Sequence, residues 1–250
     1  MILLKSPREL EHMRAAGKIL AGVKALLVRL VKPGISTKDI DAEVEAFIVS
    51  KGATSAFKGY RGYPATVCTS INEEVVHGIP SPKRRLKEGD IIGLDLGCVV
   101  EGYYGDCAVT LPVGAVAPRV QELIDVTRES LDKAIVQCRV GNRIGDISHA
   151  VQMHCESHGF GVVRSFVGHG IGRALHEEPQ VPNFGDAGRG PALKAGMVLA
   201  IEPMVTMGSW EVQVLEDGWT AVTADGSLAA HFEDTIAITE DGPDVLTRAA

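Results

Sequence analysis

The sequence lacks a long apolar run, paired cysteines and an excess of basic residues, and each absence excludes a class of protein. No uninterrupted apolar stretch reaches the roughly 18 residues that span a bilayer, and the apolar start Met1–Leu4 meets Lys5 too soon for a signal peptide. The five cysteines are odd in number and form no CxxC pair, which favours reduced thiols in a cytoplasmic protein. A net charge of −7 argues against a broad surface for nucleic acid or anionic membrane.

The rest of the composition is that of an ordinary globular domain with room for a core. The chain has 250 residues and a mass of 26.6 kDa, with 45% hydrophobic and 23% charged residues. A folded protein of this mass exposes about 10,700 Å² of the roughly 38,600 Å² that its unfolded chain would expose. We therefore expect residues 1–250 to form a single domain whose core needs no disulfide or structural metal.

Helical and β-like patterns alternate along the chain in the order ααβββ, then ααβββ. Ser6-Pro7-Arg8-Glu9 is a capping box with proline at the first helical position, and Pro33-Gly34 ends that helix. A second helix is predicted to follow Ser36-Thr37. The remaining predicted segments are a β region at about 55–113, helices at Pro118–Cys138 and Ile144–His158, and a β region from Phe160 onward with a hairpin turn at Asp225-Gly226.

This order indicates an internal repeat with one offset, the 107 residues from Gly34 to Gly141. The matches are Gly34, Asp39, Ile40, Val44, Gly52 and Leu86-Lys87-Glu88-Gly89 with Gly141, Asp146, Ile147, Val151, Gly159 and Leu193-Lys194-Ala195-Gly196. Generic helix and strand punctuation is the alternative, but Asp95 and Glu202 also match, which favours duplication. We expect an α+β fold of two ααβββ halves, about 6–113 and 117–250, that share an antiparallel sheet with helices outside.

Acidic residues in apolar strands are the first candidate functional residues. Asp95 lies within the apolar strand Ile91–Gly97, and Asp106 lies on the return strand. A two-residue turn at Val100-Glu101 or Glu101-Gly102 puts both aspartates on one sheet face because side chains alternate. Two carboxylates on a half-buried face are costly to desolvate unless a cation lies between them. The alternative is that both are loop-edge aspartates exposed to water.

The second half adds residues of the same chemistry. Glu202 and Glu233 again lie in apolar strands, and His169 lies among glycines in Val167–Gly172. A structural loop histidine is the alternative for His169, but the glycines allow close backbone approach, which favours a ligand. Four carboxylates and one imidazole suit two divalent ions such as Mn, Fe, Co or Zn better than a tetrahedral structural zinc.

These residues lie in motifs that resemble the type I, bacterial-style methionine aminopeptidases of the pita-bread metallopeptidase family. The resemblance covers essentially the whole chain and rests on Gly59–Pro64, Ser70–Pro80, Gly105-Asp106, Gly168–Gly172, Leu175–Pro179 and Ile201–Met204. It implies a duplicated pita-bread fold with the metal ligands Asp95, Asp106, His169, Glu202 and Glu233. Where the family often has Phe-Glu-His-Thr, this chain has Phe232-Glu233-Asp234-Thr235. The surroundings of Glu233 are therefore expected to differ from those in the family.

The resemblance implies a metal-dependent aminopeptidase that hydrolyses the N-terminal methionine from nascent polypeptides with a small second residue. Two metal ions would activate a water molecule, Glu202 would move its proton, His176 would donate to the scissile carbonyl and His77 would position the peptide. An apolar pocket for the methionine side chain is implied at Phe57, Tyr60, Tyr63, Cys68, Leu175 and Trp219. The expected protein is a cytoplasmic monomer that acts on deformylated nascent N-termini, contacts the ribosome transiently, reads no nucleic acid and binds no membrane.

Other interpretations remain open from the sequence. Phe57 and Leu175 could equally be ordinary core residues. A related pita-bread metallopeptidase of Xaa-Pro specificity usually has an additional N-terminal domain, whereas the first catalytic half here begins at Ser6. A non-catalytic peptide-binding module would be marked by the loss of a ligand, and all five are present. Residues interpreted as packing residues or given no function are Cys98, Cys107, His12, His149, His154, His158 and His231.

Overall fold

The computed structural model describes residues 1–248, which form four α-helices and fifteen short or medium strands. Its accessible surface is 10650 Å², close to the area that scaling predicts for one domain of this mass. The helices are α1 (Pro7–Leu30), α2 (Thr37–Ser50), α3 (Pro118–Val136) and α4 (Ile144–Ser157). Their order and positions agree with the patterns in the sequence. None of these helices is both long and apolar enough to cross a membrane.

The strands form four sheets whose pairings are all antiparallel. The strands of the first half are β1 (Thr54–Ser55), β2 (Val67–Ile71), β3 (Glu74–Val76), β4 (Ile91–Val100) and β5 (Tyr103–Pro112). Those of the second half are β6 (Gly161–Val162), β7 (Gly168–Gly170), β8 (Glu177–Val181), β9 (Val198–Ile201), β10 (Met204–Thr206), β11 (Val212–Val214), β12 (Ala221–Thr223), β13 (Ala229–His231), β14 (Asp234–Thr239) and β15 (Gly242–Val245). The sheet orders are β1-β4-β2 with β5 on β4, then β13-β10-β6, β11-β12-β3 and β15-β14-β9-β7-β8.

The β region of the second half is more interrupted than the three-strand expectation. Pro203 separates β9 from β10, since proline cannot donate a hydrogen bond to a sheet. The predicted hairpin at Asp225-Gly226 is wrong, although the chain does turn there and Gly226 has a φ of 72°. The flanking strands β12 and β13 pair with different neighbours, in two separate sheets.

The hairpin of β4 and β5 brings the first two candidate ligands together. Glu101 and Gly102 have φ angles of 50° and 78°, as a two-residue turn matched to the strand twist requires. In the resulting register Asp95 lies opposite Ala108, and Asp106 lies opposite Gly97. Because side chains alternate along each strand, both aspartates lie on one face of the hairpin. The second of the two predicted turn positions is therefore the observed one.

Equivalent backbone hydrogen bonds occur in both halves, at positions separated by the offset found in the sequence. The Gly34 amide donates to the Leu86 carbonyl at 2.8 Å, and the Gly141 amide donates to the Leu193 carbonyl at 3.3 Å. Matched glycines also share left-handed φ angles: 92° and 96° at Gly34 and Gly141, 75° and 74° at Gly52 and Gly159, and 89° and 88° at Gly89 and Gly196. These matches support the proposed duplication of the two halves.

The two halves meet along β5 and the segment that joins β13 to β14. Ala108 and Glu233 exchange two backbone hydrogen bonds, of 3.2 and 3.0 Å. The Thr235 hydroxyl accepts from the Asp106 amide at 3.0 Å and donates to the Asp106 carbonyl at 2.7 Å. This contact joins strands of both halves and places ligand-bearing segments from each half side by side.

Candidate active site

One cavity of about 170 Å³ lies at this junction. Every residue that the sequence analysis singled out for metal binding, catalysis or substrate binding lines it. These residues are Phe57, Tyr60, Tyr63, Cys68, His77, Asp95, Asp106, His169, Leu175, His176, Glu202, Trp219 and Glu233. Arg61 lines the cavity as well, and it was not predicted.

Four carboxylates line the cavity, and they are largely shielded from water. Asp95, Asp106 and Glu233 are 9%, 4% and 3% exposed. Burial raises the pKa of Asp95 to about 7. Burial and then the neighbouring carboxylates raise the pKa values of Asp106 and Glu233 well above their ordinary range, and burial and Asp95 do the same for Glu202. Without a counter-charge, these groups would repel one another and hold protons at neutral pH.

Three oxygens of these carboxylates accept no hydrogen bond from the described part of the chain. Asp95 Oδ1, Asp106 Oδ1 and Glu233 Oε1 are buried and have no hydrogen-bond partner within residues 1–248. An unpaired buried carboxylate oxygen is costly, because it has lost its water without replacement. A bound cation would supply the missing partner, so the orphaned oxygens fit a metal site.

His169 presents a lone pair to the same group. Its Nδ1 lies 2.9 Å from the Gly170 carbonyl, which can only accept, so in the neutral ring Nδ1 carries the proton and Nε2 is free. Nε2 lies 3.9 Å from Asp106 and 3.6 Å from Glu202. Burial and the nearby His176 lower the pKa of His169 to about 4. The ring is therefore neutral at physiological pH, as a metal ligand must be.

The arrangement of donor atoms suits hard or borderline divalent ions. Potential ligand atoms of Asp106, His169 and Glu233 all lie within 4.8 Å of one another, and Asp95 and Glu202 line the same cavity. Carboxylate oxygens with one imidazole are the preferred ligands of such ions, and thiolates are absent from this set. The residues present thus fit the divalent ions expected from the sequence.

His176 lies beside His169 in the cavity and contacts the Tyr60 hydroxyl. Its Nδ1 lies 2.9 Å from the Tyr60 hydroxyl, and its ring centre lies 4.2 Å from that of His169. Desolvation and the Arg61 guanidinium lower the pKa of His176. These contacts orient the ring, and its second nitrogen has no hydrogen-bond partner among the described residues.

His77 enters the cavity from the residue that follows β3. Its φ of 63° is uncommon for a residue with a Cβ and is frequent at functional sites. The ring packs edge-on against Phe166 and Trp219, with centres 5.5 and 6.4 Å apart. The next residue must be glycine, because an added Cβ would collide with the Thr69 carbonyl. Burial and His176 lower the pKa of His77 to about 4.

The predicted apolar pocket is both cavity wall and core. Phe57, Tyr63, Cys68 and Leu175 are at most 8% exposed and pack together in one hydrophobic cluster. The packing interpretation and the pocket interpretation of Phe57 and Leu175 are therefore compatible. Cys68 lies opposite Asp95 in the pairing of β2 with β4, so the apolar pocket begins directly beside the carboxylates. Burial and Asp95 raise the pKa of the Cys68 thiol, which keeps it neutral.

His231 belongs to this region although the sequence analysis gave it no function. Its Nε2 is buried, has no hydrogen-bond partner in the described part of the chain and lies 3.9 Å from Glu202. Burial and His77 lower its pKa to about 3. The available signal was its position two residues before Glu233, which places both side chains on one face of an extended segment. Arg61 could have been found between the two pocket tyrosines Tyr60 and Tyr63.

Asp234, the departure from the family pattern, faces away from the cavity. Its two oxygens accept from Lys24 at 2.7 Å, Thr247 at 2.7 Å and Arg248 at 2.6 Å. The side chain is 2% exposed, so its charge is balanced inside the protein rather than by solvent. Asp234, at the start of β14 and next to Glu233, therefore forms ion pairs with Lys24 and Arg248 behind the site.

Comparisons with known proteins identify a family for this arrangement. A model of metallopeptidase family M24 matches residues 11–240. Methionine aminopeptidase 1 of Bacillus subtilis is 53% identical over 248 residues, 99% of this chain and 100% of the relative. The crystal structure of a methionine aminopeptidase from Thermotoga maritima matches with a TM-score of 0.98 and 51% identity over 100% of both chains. The predicted pita-bread fold is thereby confirmed.

More distant structures share the fold alone. An Xaa-Pro dipeptidase from Bacillus anthracis matches with a TM-score of 0.79 at 22% identity, over 99% of this chain and 62% of the dipeptidase. The Xaa-Pro interpretation of the sequence is therefore the weaker one.

Proposed function

The chain belongs to metallopeptidase family M24, and on that basis we propose that it hydrolyses the N-terminal methionine from nascent proteins and peptides. The relatives that match it along nearly its full length are named for this reaction. The observation that carries the proposal is the single cavity in which five possible metal ligands, two histidines and an apolar pocket lie together. A non-catalytic binding module would have no need for this buried and mutually repelling set of ligands.

Members of a metallopeptidase family use divalent metal ions, and we propose that two such ions, Mn, Fe, Co or Zn, bind at this site. Asp95, Asp106, His169, Glu202 and Glu233 would hold the ions, with Asp106, His169 and Glu233 offering the clustered ligand atoms. When bound, the ions polarise the scissile carbonyl and lower the pKa of a water molecule toward neutrality. Four carboxylates supply the four negative charges that two divalent ions balance.

The protein's own residues would then handle the proton and the developing charge. Glu202, whose side chain is 14% exposed, would take the proton of the attacking water and pass it to the leaving amine. His176 would donate from its free nitrogen to the oxygen of the scissile carbonyl as negative charge develops there. The Tyr60 hydroxyl at 2.9 Å keeps that ring in place.

The remaining residues would bind the substrate. Phe57, Tyr63, Cys68 and Leu175 offer an apolar wall for an unbranched thioether side chain, with Tyr60 and Trp219 at its edge. His77 would lie beside the nitrogen of the scissile bond and the second residue. Because the pocket opens directly onto the carboxylates, the free α-ammonium of the substrate is expected to lie among them.

The proposal extends to the cellular setting implied by this reaction. The substrates would be nascent chains whose N-terminal formyl group has been removed, since the site needs a free amine. We propose that the protein acts as a cytoplasmic monomer with transient contact with the ribosome, without reading nucleic acid or binding a membrane.

A combined metal analysis and peptide assay tests the proposal. The protein is purified, its metal content is measured, and hydrolysis of Met-Ala-Ser is compared with hydrolysis of Xaa-Pro peptides. We expect release of methionine from Met-Ala-Ser, loss of that activity with a chelator, and its return with Mn²⁺, Co²⁺ or Fe²⁺. Preferential cleavage of Xaa-Pro bonds, or full activity without metal, would overturn it.

A further inference from the structure

A buried ion pair lies behind the segment that carries His176. Lys5 Nζ and Glu177 Oε2 are 2.6 Å apart, and the two side chains are 5% and 9% exposed. By contrast, the ion pair of Lys58 and Glu45 has the same length but side chains that are 51% and 38% exposed. Burying two charges is costly and brings little net stability. A contribution to stability therefore does not explain why the Lys5–Glu177 pair is buried.

Glu177 holds the backbone that leads to His176. Its second oxygen, Oε1, accepts hydrogen bonds from the amides of Arg173 at 2.8 Å and Ala174 at 3.3 Å. One carboxylate therefore ties together both ends of the turn 173–177. His176 lies within this turn, next to Glu177, so its Cα can move little while the carboxylate stays in place.

Lys5 in turn fixes the carboxylate to the body of the protein. Its amide donates to the Gly196 carbonyl at 2.7 Å, and its side chain crosses directly over Gly172, where an added Cβ would collide with it. The Gly172 carbonyl accepts from the Tyr104 amide in β5 at 2.8 Å. The turn is thus anchored to the segment before α1 and to the first half of the molecule.

We propose that Lys5 is a positioning residue, which holds His176 in place through Glu177. The inference rests on the proposed role of His176 at the scissile carbonyl. A catalytic hydrogen bond depends steeply on position, and a displacement of about 1 Å can cost about 100-fold in rate. Tyr60 restrains the imidazole from the cavity side, and the ion pair restrains the backbone from behind.

The test compares Lys5→Met in two backgrounds. In the parent protein, Lys5→Met should lower kcat for Met-Ala-Ser by about 10- to 100-fold, with little change in KM and no loss of bound metal. In a His176→Ala background, the same substitution should change kcat by less than about 2-fold, since the residue it positions is gone. Hydrogen exchange at the Arg173 and Ala174 amides should become faster. Lys58→Met, which breaks an exposed ion pair, is the matched control. It should leave both kcat and hydrogen exchange at the Arg173 and Ala174 amides unchanged.

A second variant separates positioning from folding. Lys5→Met alone leaves a buried, uncompensated carboxylate, which is expected to lower the melting temperature. Lys5→Met with Glu177→Gln removes that charge yet keeps an oxygen for the two amides, so it should fold more stably while kcat stays low. A folded double variant with parental kcat would overturn the inference, as would equal effects of Lys5→Met with and without His176. A parent protein that fails to cleave Met-Ala-Ser would instead overturn the proposed function.

Discussion

Several residues of the site have pKa values or backbone conformations that are unfavourable for the same residues in water. Burial raises the pKa of Asp95 to about 7 and lowers the pKa of His169 to about 4. His77 adopts a left-handed backbone conformation with a φ of 63°, which costs such a residue about 1–2 kcal/mol. The packed strands leave these residues no alternative. A cation bound among the carboxylates would remove much of their repulsion.

Replacing Asp106 by asparagine tests the ligand set. Asp106 contributes to the tight group formed with Glu233, so Asp106→Asn should lose metal and more than about 100-fold in activity. Asp234→Asn is the control, since Asp234 follows Glu233 but pairs with Lys24 and Arg248 behind the site. It should lose about 1–3 kcal/mol of stability and keep its metal. Equal metal loss in both variants, measured by elemental analysis, would contradict the assignment.

His231 allows a second test at single-residue scale. Its unpaired Nε2 lies 3.9 Å from Glu202, and a small movement would let it hold that carboxylate. His231→Gln keeps an N–H donor and should retain most of the activity, whereas His231→Leu should lose about 10- to 100-fold. The metal-free leucine variant should be at least as stable as the parent, because a buried unpaired nitrogen is gone. Activity assays with thermal melts check both, and equal activity of the two variants would contradict a role for the nitrogen.

At the scale of elements, α1 connects the start of the chain to the hairpin that carries the aspartates. The Ser6 amide donates to Glu9 at 2.9 Å, and the Tyr103 hydroxyl of β5 donates to the same carboxylate at 2.8 Å. Further along, Gly17 lies so close to the Leu246 carbonyl that an added Cβ would collide with it. The helix can therefore pack directly against backbone, and its first turn orients the β4–β5 hairpin.

The cap of α1 predicts a dependence of stability on pH. The hydrogen bond from the Ser6 amide, followed by that from Tyr103, lowers the pKa of Glu9 from 4.5 to about 2. Well above pH 4.5 the group is ionised in both states and its contribution is complete. As the pH falls toward 2 the unfolded chain binds the proton first, so the contribution is lost. The melting temperature of the parent should exceed that of Glu9→Gln by a constant amount above pH 5, and the difference should shrink between pH 4.5 and 3. A difference that grows on acidification would contradict this.

At the scale of the whole molecule, the site exists only because two halves meet. Asp95 and Asp106 come from the β4–β5 hairpin, whereas His169, Glu202 and Glu233 come from the second half. The two halves are joined by the backbone hydrogen bonds between Ala108 and Glu233. Neither half contains enough candidate ligands for the proposed pair of ions, so the candidate site forms only where the two halves pack together.

The residues that line the cavity predict the substrate range. The apolar pocket should accept methionine and reject a charged or β-branched first residue. Since His77 is proposed to lie beside the second residue, Gly, Ala, Ser, Thr, Pro, Cys or Val should be tolerated there and Leu, Phe, Lys or Arg should not. Steric exclusion of this kind costs about 1–3 kcal/mol, which is roughly 10- to 200-fold in kcat/KM. A panel of Met-Xaa-Ser peptides measures these ratios.

The same panel with blocked N-termini tests the position of the amine. Formyl-Met-Ala-Ser and acetyl-Met-Ala-Ser should be inert, because the blocked nitrogen can neither carry a charge nor approach the carboxylates. Removal of the formyl group should restore cleavage. Rapid hydrolysis of the formylated peptide, or of Met-Arg-Ser as fast as Met-Ala-Ser, would show that the cavity is organised differently.

The sequence by itself determined the helices, the β4–β5 hairpin and the candidate ligands. Capping residues, hydrophobic period and a two-residue turn act over a few neighbouring positions, so their outcome can be predicted locally. The order of the predicted elements indicated the repeat, and the resemblance predicted the family and the residues that line the cavity. The chemistry of the ligands was also local, since an acidic residue in an apolar strand needs a partner wherever the strand lies.

Only the tertiary structure decided which distant groups became partners. It paired Lys5 with Glu177, which are 172 positions apart. It left Nε2 of His231 without a hydrogen-bond partner among the described residues, beside Glu202. It also placed the strands on either side of Asp225-Gly226 in two separate sheets, so that no hairpin forms there. These outcomes depend on how separate elements pack. A shift of a few ångströms between two elements would break each contact, and the residues involved share no local sequence pattern. Sequence periodicity specifies which face a side chain occupies, whereas the packing of both halves specifies what that face meets.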